Sequence, residues 1–169
     1  MMKKILLGLL VVLIVIQFIQ PEKNISETRS PNDIRTLYEV PDDVGLILEK
    51  ACDDCHSNNT KYPWYSNIQP VAWFLAHHVD DGKKHFDLSE FAAYSPDWVK
   101  WHKLEELVEM VDEGEMPLES YTLIHRDAIL TDAEKASLIG WAQDIRAQME
   151  ADSTIDLTPP KRGPRPGDH

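Results

Sequence analysis

A chain of 169 residues with 43% hydrophobic content has room for one domain with a real core and little beside it. Its formal charge of -12, from 17 basic and 29 acidic residues, excludes a nucleic-acid binder, because a phosphate backbone is held by clustered Lys and Arg and the basic residues here are few and scattered. An acidic surface suits solubility or a basic docking partner.

The opening segment, MMKKILLGLLVVLIVIQFIQPEKN, sets Lys3 and Lys4 before an apolar run from Ile5 to Ile16, which Phe18 and Ile19 extend and Gln20, Pro21, Glu22 and Lys23 stop. Basic residues before an apolar stretch mark a segment handled by the export machinery, with the lysines left in the cytoplasm. No small-x-small cleavage site follows, and no cysteine ends the run to accept a lipid. Residues 1–21 are therefore expected to be an uncleaved transmembrane anchor, with a removed signal sequence as the alternative. The run is short against the roughly 20 residues typical of a span. The expected location is the bacterial inner membrane with the domain in the periplasm; after cleavage the domain is free in the periplasm.

Residues 22–38 read as a polar linker. Residues 151–169 are rich in Pro, Gly and charge and read as a flexible tail. Between them, residues 39–150 carry helical spacing throughout. Pro41-Asp42-Asp43 starts a helix whose apolar face, Val44, Ile47, Leu48 and Ala51, leads into Cys52. Pro70 opens another, with Val71, Phe74, Leu75 and His78 on one side. Ser95-Pro96-Asp97 caps a third, in which Trp98, Trp101, Leu104, Leu107, Val108 and Val111 recur at three and four, and Gly114 ends it. Thr131-Asp-Ala-Glu134 is a capping box, and it opens a last helix with Leu138, Trp141, Ala142 and Ile145 inward. With no alternating strand, the prediction is an all-α domain.

Both cysteines of the chain fall in ACDDCHSNNTKYPWYS. A thioredoxin-type dithiol follows a strand and starts a helix, whereas here a helix ends at the motif. Structural zinc needs further ligands, and the sequence has no other cysteine. A disulfide gives His56 no role. C-x-x-C-H on an exported chain accounts for all three residues: Cys52 and Cys55 form thioethers with the haem vinyl groups and His56 is the proximal ligand of the iron. For the sixth position, EGEMPLESYTLIH offers Met116, between Gly114 and Pro117 in a turn where no core residue is expected. The competing ligands are His77, His78, His102 and His125.

The segment CHSNNTKYPWYSNIQPVAWFLAHHVDDGK together with EGEMPL resembles a family of exported bacterial haem-binding domains, similar to c-type cytochromes, over about Pro41 to Ala147. That resemblance implies one covalent haem c on Cys52 and Cys55, with His56 proximal and Met116 distal to iron. It also implies a proline carbonyl accepting the other ring N–H of His56, for which Pro70 is the first candidate and Pro63 the second. Trp64 and Trp73 are expected in the haem-pocket wall, along with Trp101 and Trp141, and Gly45 against Trp141 at the crossing of the first and last helices. The expected function is a membrane-tethered electron carrier with redox partner proteins in the periplasm or inner membrane. A haem enzyme or small-ligand sensor with an exchangeable sixth ligand is the alternative, and a haem-stapled assembly module a third.

Overall fold

A computed structural model describes residues 1–160. Among these the protein is all helical, with no strand and one isolated bridge between Ile25 and Asn59. The helices are α1 (Met2–Ile16), α2 (Ile34–Leu37), α3 (Asp42–Ala51), α4 (Asp53–His56), α5 (Val71–His85), α6 (Asp97–Asp112), α7 (Glu119–Thr122) and α8 (Asp132–Ala151). A short 3-10 turn, Trp64–Asn67, precedes α5.

Local chemistry explains the main boundaries. Asp42 and Asp43 fill the first turn of α3, where carboxylates complement the helix dipole. Thr131 accepts from the backbone N–H of Glu134 and Glu134 from that of Thr131, so the capping box expected at the start of α8 is formed. Gly114 adopts φ 76 just after α6, a left-handed turn that favours glycine.

α6 and α8 make the most extensive helix pair, and α3 crosses α8. Their inward residues form one core: Val44, Ile47 and Leu48 from α3, Leu104 and Val111 from α6, and Leu138, Trp141, Ala142, Ile145 and Met149 from α8. The expected approach of Gly45 to Trp141 is not what brings these helices together. The nearest atom to a Cβ at Gly45 is a methyl of Val40 at 4.0 Å, while Trp141 donates its indole N–H to the Glu39 carbonyl at 3.1 Å.

The polar linker over 22–38 is corrected by the structure. Ile34 is fully buried in the core, and its N–H donates to the Leu88 carbonyl at 2.9 Å. Asn24 donates to the Ser57 carbonyl at 2.7 Å, so the segment is packed onto the domain from its beginning. In the tail, Ile155 and Leu157 pack against the core; residues 161–169 lie outside the described residues.

α1 has no buried residue, and its 15 residues rise roughly 22 Å, short of the roughly 30 Å of a bilayer's hydrocarbon core. Among the described residues no helix is long and apolar enough to cross a membrane.

Candidate functional site

α3 runs directly into the cysteine motif: the Cys52 N–H still donates to the Leu48 carbonyl at 2.9 Å. At Cys52 the backbone departs from helical geometry (φ -125), and a new turn begins, α4. The Cys52 carbonyl accepts from the N–H groups of Cys55 (3.2 Å) and His56 (2.9 Å). These two bonds close one turn over Cys52, Cys55 and His56.

Both residues between the cysteines are clasped. The Arg35 guanidinium Nη2 lies 2.9 Å from each carboxylate oxygen of Asp53. Asp54 accepts from the Lys61 N–H at 2.9 Å and from the Tyr121 hydroxyl at 2.8 Å. Thus α2 grips the turn on one side and α7 on the other. Tyr121 also stacks on His125, with ring centroids 4.2 Å apart, and the Tyr65 hydroxyl stands 3.4 Å from His125 Nε2.

His56 is fixed by the segment after α5. Its Nδ1 lies 2.7 Å from the Phe86 carbonyl oxygen, and its own carbonyl accepts from the Leu88 N–H at 2.7 Å. A carbonyl only accepts, so Nδ1 carries the proton and Nε2 keeps its lone pair. Burial lowers the pKa of the ring, against the opposing effect of the Phe86 and Gly82 carbonyls, and favours the neutral form.

This replaces Pro70 and Pro63 as the partner of His56. Each prolyl carbonyl is occupied by its own local turn: Pro70 accepts from the Phe74 N–H at 3.2 Å in the first turn of α5, and Pro63 from the Ser66 N–H at 3.0 Å. α5 approaches the motif closely at Gly82, where an added Cβ would meet the Cys55 carbonyl oxygen at 2.7 Å. A glycine inside a helical stretch is the signal in the sequence for such a close approach.

α5 buries Ala72 and Val79 against the protein. Val71 and Phe74 stay exposed, and the His78 ring lies tilted against Phe74 with centroids 4.1 Å apart. Trp73 precedes Gly82 by nine residues, two and a half turns at about 3.6 residues per turn, and so lies on the opposite side of α5 from the contact with Cys55. Trp64, on the 3-10 turn, is 77% exposed. Trp101 and Trp141 serve the α6–α8 pairing instead: Trp101 lies under the Arg146 guanidinium at 3.9 Å, and Trp141 is in the core.

Met116 lies on the loop between α6 and α7, half-buried, with its N–H on the Met110 carbonyl at 3.0 Å. Five residues later Tyr121 bonds to Asp54, so this loop is tied to the cysteine turn. Of the histidines, His102 stands beside Glu105 (3.1 Å) and Glu106 (3.5 Å) on α6 and stacks on Trp98.

The sequence model of the haem-binding domain family matches residues 11–144. The chain belongs to this family. The match begins inside α1 and includes the segment expected to be a linker, in keeping with the burial of Ile34. The chain is also similar to the cytochrome c peroxidase Ccp of Escherichia coli (strain K12), 26% identical over 121 residues, which cover 70% of this chain and 26% of that protein. It therefore spans about a quarter of that relative's length. No solved structure matches the chain significantly.

A haem fits the donor set of this haem-binding domain. Among the described residues no three His, Cys, Asp or Glu side chains converge to hold a bare metal ion. Iron in a porphyrin brings four nitrogen ligands of its own and asks the protein only for axial ones, which His56 with a free Nε2 can begin to supply. Both cysteines are free, and burial pushes Cys52 up to about 12 and Cys55 to about 11, with the negative charge of Asp53 and Asp54 respectively adding to it. Thiols that stay protonated at neutral pH lack the thiolate on which a redox dithiol depends.

Proposed function

We propose that the chain is a mono-haem c-type cytochrome domain that carries electrons on the periplasmic side of the bacterial inner membrane, tethered there by residues 1–21. The observation that supports it best is the single turn that holds Cys52, Cys55 and His56, with His56 Nδ1 committed to the Phe86 carbonyl. Cys52 and Cys55 are the residues that would hold haem c through thioethers. His56 Nε2 would be the proximal ligand of its iron and the Met116 thioether the distal one. Bound haem supplies a one-electron Fe(II)/Fe(III) couple. The chain's own part is to keep the turn rigid through Arg35–Asp53 and Tyr121–Asp54, to hold the His56 proton on Nδ1, and to exclude other ligands with a soft sulfur. Its partners would be redox proteins of the periplasm or inner membrane.

Two measurements test this reading. A haem stain that survives denaturing electrophoresis and is lost in Cys52→Ala/Cys55→Ala establishes covalent attachment; retention of the stain in that double variant sinks it. Met116→Ala should abolish sulfur-to-iron charge-transfer absorption and lower the reduction potential.

The similarity to a peroxidase favours one second reading, a haem enzyme or small-ligand sensor with an exchangeable sixth position. His125, stacked on Tyr121 and 3.4 Å from the Tyr65 hydroxyl, is then the candidate acid or base. Rapid carbon monoxide binding by the reduced native protein would decide for that reading against the electron carrier.

A further inference from the structure

The end of α1 is not loosely joined to the domain. Gln17 Oε1 accepts from the Gln69 N–H at 3.0 Å, and the buried Gln69 side chain donates to the Ile19 carbonyl at 2.7 Å and accepts from the Trp73 N–H at 3.3 Å. Gln20 donates to the Asn67 carbonyl at 3.2 Å, and Asn67 to that of Trp64 at 3.1 Å. Around this polar hub five large apolar side chains face outward: Phe18 (85% exposed), Ile19, Trp64 (77%), Ile68 and Trp73 (40%).

Phe18, Ile19, Trp64 and Ile68 lie outside α5, and Trp73 lies on the opposite side of that helix from Gly82, where the helix meets Cys55. They adjoin the end of α1, which is apolar from Ile5 to Ile16 and has no buried residue. We infer that this patch is a membrane-docking surface, seated at the boundary between headgroups and acyl chains of the bilayer that receives α1. The inference rests on the proposed tethering of residues 1–21 in a membrane.

Three features select lipid as the occupant. Tryptophan joins an apolar ring to a polar N–H and is enriched at that boundary. α1 alone falls roughly 8 Å short of the hydrocarbon core, and an apolar shelf at its outer end fills a deficit of that kind. The hydrogen bonds from Gln17, Gln20 and Gln69 fix the shelf to the helix, so the domain cannot swing free of the surface. From Val71 to Gly82, α5 rises roughly 16 Å, which sets the distance of the cysteine turn from the shelf along that helix.

The test is hydroxyl-radical footprinting, read by mass spectrometry, of the full haem-loaded chain at one copy per phosphatidylcholine nanodisc. The expected result is protection of α1 together with Trp64, Ile68 and Trp73, while Leu46, exposed on α3, is oxidised. If α1 is protected and Trp64 and Trp73 are oxidised at the rate their exposure in the folded chain sets, with Leu46 as the reference, the docking surface is overturned and the tether stands. Oxidation of α1 itself would remove the tether and the docking surface with it.

Discussion

A Cβ placed on Gly82 would stand 2.7 Å from the carbonyl oxygen of Cys55 and 3.1 Å from its Cβ, so α5 lies against the cysteine turn backbone to backbone. Neither neighbour is the far end of a flexible chain that can step aside. Gly82→Ala is expected to displace the turn, cost about 1–3 kcal/mol as other overpacked sites do, and reduce haem incorporation. Gly140→Ala is its control: nothing lies within 4 Å of that position in the middle of α8. There alanine should stabilise by about 0.5–1 kcal/mol through helix propensity. Thermal unfolding and haem-to-protein absorbance ratios of the two variants check both; equal behaviour would show that the contact at Gly82 has no consequence.

Removal of one oxygen tests the clasp on the other side of the turn. In Tyr121→Phe the ring stays stacked on His125, but Asp54 loses a hydroxyl donor at 2.8 Å. Hydrogen bonds to carboxylates contribute about 1.5–3 kcal/mol, and the expected loss of stability lies in that range. The turn also holds His56, so the Soret and visible bands should broaden or shift as its position relaxes. Denaturant unfolding followed by those bands reads both effects, and wild-type values in both would remove Tyr121 from the site.

Much of this architecture was legible in the sequence, and the parts that were not have identifiable physical reasons. α3, α6 and α8 bury an apolar stripe against protein, and such a stripe prints its period of three and four on the sequence. α5 kept that period too, but Val71 and Phe74 on that face stay exposed, and it is Ala72 and Val79 that the fold buries. Phe86 escaped notice because its contribution to His56 is a main-chain carbonyl, which any residue type carries. Arg35 and Tyr121 are ordinary polar residues until the fold brings them to Asp53 and Asp54. Ile34 sits among Asp33, Arg35 and Thr36 in a single turn too short to show a period, and so a core residue read as part of a linker.

Ile34 offers a direct measure of that correction. Truncation of a fully buried aliphatic side chain leaves a cavity and costs about 2–5 kcal/mol, whereas in a solvated linker it costs almost nothing. Ile34→Ala should therefore lower the unfolding midpoint of the haem-loaded domain substantially. Leu37→Ala, in the same short helix but half exposed, should change it little. Similar midpoints for the two variants would return residues 22–38 to the status of a tether.

The capping box at α8 carries a pH dependence whose sign is fixed. Lys50 donates to Glu134 at 2.6 Å and, with the Thr131 N–H at 2.9 Å, holds its carboxyl down to about 2 from the ordinary 4.5. A group whose folded pKa is depressed contributes stability above its unfolded value and loses it as pH falls through the folded one. For Glu134 the contribution is complete above about pH 4.5 and declines from there to about pH 2. Glu134→Gln should thus be less stable than the wild type at pH 7, with the gap narrowing over that window and closing below it. Denaturant unfolding of both proteins at pH 7, 4, 3 and 2, followed by far-ultraviolet circular dichroism, measures the gap. A difference that stays constant from pH 7 to 2 would mean that Glu134 acts at the cap through shape alone, without the charge that joins α8 to Lys50 of α3.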